Sequence, residues 1–71
     1  MDKLKALQYF LAAAQTGSLS AAARQQGVSL QAVAKLVSAL EEQLGAKLFQ
    51  RGSRGLILTA DGVQYADACA P

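Results

Sequence analysis

A chain of 71 residues with a net charge of +2, 52% hydrophobic and 17% charged, has the composition of one small packed domain with a mild basic excess, which excludes intrinsic disorder. One cysteine, Cys69, and no histidine exclude a disulfide framework within the chain, a zinc cluster and a histidine-based triad. No apolar stretch reaches the length of a membrane span, and the run after Lys3 and Lys5 is interrupted by Gln8, Tyr9 and Gln15, unlike a signal peptide, so a cytoplasmic domain with no membrane partner is expected.

Leu4, Leu7, Phe10, Leu11 and Ala14 recur at three- and four-residue intervals. They predict a first helix with one core-facing stripe, capped by Asp2 and ended by Gly17. Ser18 or Ser20 opens a second helix through AAARQQ, and Gly27 ends it in the left-handed conformation. Ser29 opens a third, in which Val33, Val37, Leu40 and Leu44 keep one buried face, with Leu36 beside it, until Gly45.

In KLFQRGSRGLILT the period shortens. Leu48, Leu56 and Leu58 alternate with polar or outward positions, Ile57 excepted, and GSRG supplies the turn of a two-stranded hairpin. Thr59 then caps a last helix, ADGVQYADACA, whose Val63, Tyr65 and Ala66 begin a stripe cut off at Pro71.

The second and third helices carry a recognisable corner. Ala22 and Ala23 are small where two helices must cross closely, Gly27 makes the turn, Val28 plugs it and Val33 closes the contact, which is a helix-turn-helix pattern. Gln26 stands where an aliphatic residue is usual, so either the crossing is less well packed or the amide reaches solvent. With the hairpin, the fold is mainly α: a winged helix-turn-helix of three helices, a two-stranded β-hairpin wing and the start of a fourth, linker helix.

These features together resemble the N-terminal DNA-binding domain of LysR-type transcriptional regulators. LQYFLAAAQTGSLSAAARQQGVS at 7–29, AV at 32–33, LEEQLGAKLFQR at 40–51 and LTADG at 58–62 carry the resemblance over about nine-tenths of the chain. It implies a DNA-binding domain at 1–58 and the start of a dimerisation helix at 59–71, whose Val63, Tyr65, Ala66 and Ala70 would pair with its copy. It also implies a homodimer, or a tetramer in the full-length protein, on a double-stranded DNA operator in a bacterial cytoplasm. No cofactor is expected in this part of the chain; a small-molecule effector is implied only for a separate C-terminal domain.

The residues themselves point to the same chemistry. From Lys47 to Arg54 there are three basic residues and no acidic one, on a hairpin suited to a phosphate backbone or a minor groove. Arg54 and Ser53 at the tip and Arg51 on the strand are candidate DNA contacts; packing of the Arg51 carbon stem under the wing is the alternative, and for Lys47 contact and solvation stand equal. On the third helix, the side opposite Val33, Val37 and Leu40 presents Leu30, Gln31, Ala34, Lys35 and Ser38. Gln31 suits adenine, Lys35 a guanine or a phosphate, and Ser29 a phosphate.

The resemblance implies glutamine, proline, serine and arginine at Leu30, Gln31, Ala34 and Lys35, and all four are replaced here. The implied contacts therefore carry over to Leu30 and Ala34 as places facing DNA, not as hydrogen bonds. Two readings of Leu30 stand: it touches a thymine methyl, as does Ala34, or it packs back beside Val28.

An enzyme is not expected. Glu41 and Glu42 are neighbours on an exposed helical face, Asp61 and Asp67 fall on different sides of theirs, and no nucleophile has a base beside it. A winged-helix protein-interaction module is the alternative function, and Cys69 reads as a small apolar residue.

Overall fold

The computed structural model describes residues 2–69. Four helices and one hairpin follow in order: α1 (Lys3–Thr16), α2 (Leu19–Gln26), α3 (Leu30–Leu44), β1 (Phe49–Gly52), β2 (Gly55–Leu58) and α4 (Ala60–Cys69). Their boundaries are set by local hydrogen-bond chemistry. The Asp2 carboxylate accepts the Lys5 N–H at 3.1 Å, the Ser18 hydroxyl that of Ala21 at 3.1 Å, and the Ser29 hydroxyl that of Ala32 at 3.1 Å, each satisfying a donor with no partner inside its own helix. Of the two serines proposed to open α2, Ser18 is the cap. Gly17, Gly27 and Gly45 end the first three helices at φ of 71°, 68° and 68°, the left-handed region that glycine enters without steric cost.

The core has two parts joined by Phe49. In the first, Tyr9, Ala12 and Ala13 of α1 meet Ala22 and Ala23 of α2 and Val33 and Val37 of α3, with Val28 packed against them. The helix-turn-helix corner is thus built on alanines, whose lack of bulk lets three helices approach together. Gln26 is half-buried and lies alongside Gln8, Leu11 and Gln15, so the corner closes without an aliphatic residue there.

In the second part Phe10, Leu40 and Leu48 are buried under Leu58, Tyr65 and Ala66. Phe10 stacks tilted on Phe49 at 5.3 Å and edge-on to Tyr65 at 5.2 Å between ring centroids, distances at which aromatic pairs attract. Burial raises the Tyr65 hydroxyl above its ordinary pKa, helped by the neighbouring Cys69 thiol.

Of the positions expected in the core, Leu4, Leu44 and Val63 are exposed. On α1 the buried face is Ala6, Tyr9, Phe10, Ala12 and Ala13, while Leu4 is 64% exposed and Leu7, Leu11 and Ala14 are half-buried. The close helix packing selects the small residues of α1 and rotates its leucines to the flanks, and Tyr9, which breaks the apolar run in the sequence, lies inside. Leu44 is 45% exposed at the rim of an open hollow that it lines with Asp61, Gln64 and Tyr65 of α4, and on α4 Val63 is 47% exposed while Gly62 is buried. Ala70 lies outside the described residues.

The strands pair antiparallel with Phe49 opposite Leu58, Gln50 opposite Ile57, Arg51 opposite Leu56 and Gly52 opposite Gly55, leaving Ser53 and Arg54 as the turn. Leu58 and Leu56 turn inward and Ile57 outward. The hairpin is tied to the α1–α2 corner by the Leu56 N–H, which donates to the Gly17 carbonyl at 3.0 Å. Thr59 starts α4: its hydroxyl accepts the Gly62 N–H at 2.9 Å and donates to the Lys47 carbonyl. Among the described residues no helix is long and apolar enough to cross a membrane.

Candidate nucleic-acid interface

The exposed side of α3 divides into two edges. Helical spacing runs round that side from Leu30 through Ala34, Ser38 and Gln31 to Lys35, so Leu30 and Ala34 lie on one edge and Lys35 on the other, with Ser38 reaching the wing-side trough. The first edge faces the wing. Leu30 lines an open cleft of about 400 Å³ together with Ser18, Ser20, Arg51 and Arg54. Ala34 and Ser38 line an adjoining trough of about 380 Å³ floored by Leu19, Phe49 and Leu56. Gln31 and Lys35 are exposed and line neither hollow.

The cleft contains no carboxylate. Arg51 and Arg54 are both exposed, and among the described residues the ion pair within 4.0 Å is Lys47 with Glu41, at 3.9 Å. Both wing guanidiniums therefore keep their donors for an external anion. Lys47 is the less available cation, being held beside Glu41. Ser53 is exposed at the hairpin tip. Ser29 uses its hydroxyl oxygen on the Ala32 N–H, which leaves the hydroxyl proton free to donate.

The placement of the wing depends on two contacts that sequence reasoning missed. Gly55 has φ 125°, and a Cβ there would stand 2.7 Å from the Gly17 carbonyl oxygen, so the wing lies against the α1–α2 corner only because this residue is glycine. At the wing's other end Glu41 is not on an exposed face as expected: its side chain is 12% exposed. One carboxylate oxygen accepts the N–H groups of Leu48 at 2.7 Å and Phe49 at 3.3 Å. No local pattern marks this role, since the acceptor lies seven and eight residues from its donors. Ser18 and Ser20 as walls of the cleft were also missed; two serines around a helix start were the available signal.

Comparison with known proteins agrees with this geometry. Residues 4–63 match the family of bacterial regulatory helix-turn-helix proteins of the lysR type. The HTH-type transcriptional regulator TrpI of Pseudomonas aeruginosa is 44% identical over 69 residues, covering 97% of this chain and 23% of that protein. TfdT of Cupriavidus pinatubonensis is 38% identical over 65 residues, covering 92% and 28%. The chain thus spans about a quarter of the length of the curated relatives it matches.

Among solved structures, the DNA-binding domain of CbnR in complex with DNA has a TM-score of 0.87 at 36% identity, over 93% of this chain and 76% of that one. The BenM DNA-binding domain with catB site 1 DNA has a TM-score of 0.88 at 30% identity, over 93% and 74%. With a family match across most of its length and a fold shared with two of that family's DNA-binding domains, the chain belongs to the LysR family of bacterial regulatory helix-turn-helix proteins.

Proposed function

We propose that this domain binds double-stranded DNA sequence-specifically as part of a bacterial transcription regulator, with α3 in the major groove and the wing on the adjoining backbone or minor groove. The observation that carries the reading is the carboxylate-free cleft between α3 and the wing, with the unpaired guanidiniums of Arg51 and Arg54 on one side and the start of α3 on the other. A phosphate strand passing between a recognition helix and a wing needs such a surface. The solved DNA complexes of CbnR and BenM, which share the fold, support it.

In this reading Arg51, Arg54, Ser53 and Ser29 hold phosphates and fix the register, Gln31 and Lys35 reach base edges from the exposed side of α3, and Ser38 meets the backbone beside the trough. The domain at 1–58 acts as a homodimer in the cytoplasm, through a helix that begins at 59–71. Tyr65 and Ala66 pack inward on Phe10, so the α4 face open to a second copy is the one that carries Val63. Effector binding belongs to a separate domain, and this one needs no cofactor.

Titrating salt against binding to random duplex tests the reading. On random duplex Lys35 rests on a phosphate instead of a base edge, and with Arg51 and Arg54 it neutralises roughly three phosphates, so the log–log slope is about −3 per protomer. A flat response would overturn DNA binding in favour of a protein-docking module. Arg54→Ala weakens binding to all sequences alike and makes the slope shallower by about 1. Gln31→Ala behaves differently, relaxing preference at one base position at a cost of about 1–3 kcal/mol there. Selection from a random duplex pool with each variant checks both outcomes.

A further inference from the structure

Leu30 is the first residue of α3 and is 42% exposed. Val28, two residues earlier, packs against the first part of the core, whereas Leu30 opens onto the cleft beside the wing. It is therefore not an anchor of the turn. The cleft it lines holds the two wing arginines and the serines at the start of α2 beside Leu19 and Leu56, with no carboxylate among them. A large alkyl group set among cationic and hydroxyl donors fits a partner that is anionic and presents an apolar group close to its charge. Along the major-groove edge of duplex DNA that apolar group is the C5 methyl of thymine, a base away from the phosphate of its own strand.

We propose that Leu30 reads a thymine methyl at the base step whose phosphate Arg51 and Arg54 hold, an assignment that rests on the DNA-binding reading above. Ala34, one turn along the same edge, has a different part. It is half-buried and borders the trough floored by Phe49 and Leu56, so its single methyl is set back where a longer side chain would fill the space. Ala34 gives clearance and Leu30 makes the contact. The expected pair of methyl readers narrows to one.

Deoxyuridine isolates the methyl, because dU differs from dT by that group alone and keeps every hydrogen-bonding atom. Duplexes are selected from a random pool with the 71-residue chain, then resynthesised with each dT replaced singly by dU. The unaltered protein loses about fourfold in affinity at one dT per half-site, the worth of one methyl group withdrawn from water. Leu30→Gln and Leu30→Ala, both at an exposed position, bind the dT and dU forms of that duplex equally.

Indifference of the unaltered protein to every dU replacement, or unchanged sensitivity in both variants, overturns the assignment while the selected consensus leaves sequence-specific binding standing. A pool that yields no preferred sequence removes the DNA reading, and this assignment with it.

Discussion

Gly62→Ala lowers the midpoint of thermal unfolding by about 15 °C, corresponding to a loss of roughly 3 kcal/mol in a domain of this size. Gly62 sits in the first turn of α4 and is buried against the segment that leads into the wing. A Cβ at this position would fall on the Leu48 carbonyl oxygen and stand 2.9 Å from a methyl carbon of Leu58. The leucine methyl can move aside. The carbonyl cannot, because it accepts the Thr59 N–H at 3.0 Å and so belongs to the junction that starts α4.

The helix must therefore lift away from Phe10 and Leu48, and a domain with a single small core has little stability to lose. The sign of the result is the test. In a helix free of its surroundings alanine is favoured over glycine by about 1 kcal/mol, so a stabilised variant would show that α4 does not dock here. Urea unfolding followed by circular dichroism gives both sign and size.

Glu41→Ala costs about 2–3 kcal/mol of stability and weakens DNA binding, although Glu41 touches no DNA in the proposed arrangement. Removing its carboxylate leaves the Leu48 and Phe49 N–H groups without their acceptor, and Leu48 is almost fully buried. An unsatisfied buried donor retains its desolvation penalty. The wing enters at these two residues, so its position relative to α3 loosens with them.

Glu41→Gln separates geometry from charge. Its amide oxygen still accepts the two N–H groups, and stability returns to within about 1 kcal/mol of the unaltered chain. Both substitutions remove a negative charge near the phosphates, which by itself favours binding. Lower affinity in Glu41→Ala with retained affinity in Glu41→Gln therefore identifies wing positioning. Equal behaviour of the two variants in stability and binding would rule it out.

The candidate interface was partly legible in the sequence. Arg51, Ser53 and Arg54 are exposed on a hairpin, as an acid-free basic stretch interrupted by glycines predicts. Gln31, Lys35 and Ser38 are exposed on α3 because they lie opposite Val33, Val37 and Leu40 on the helical wheel, whereas Leu30, on the Val37 side of that wheel, is exposed at the first residue of the helix. Their grouping was not legible. That Leu30 shares a cleft with the wing arginines, while Gln31 and Lys35 face away from it, depends on where the hairpin lies. That position is held by Gly55 against Gly17 and by Glu41 against Leu48 and Phe49.

What the residues settle in their own neighbourhood could be read from the chain alone: element order, caps at Asp2, Ser29 and Thr59, left-handed ends at Gly17, Gly27 and Gly45, and the alanine-lined corner. Each is a matter of one turn of backbone, a free N–H finding a side chain within three residues or a conformation that only glycine accepts cheaply. Tertiary structure alone decided which face of α1 is buried, that Leu44 and Val63 stay in water, that Glu41 is an acceptor inside the fold and that α3 has two chemically different edges. Those outcomes arise from contacts between residues distant in sequence, such as Phe10 with Tyr65 and Gly17 with Leu56. The periodicity of α1 marked an apolar side but not which edge of it the neighbouring helices would cover.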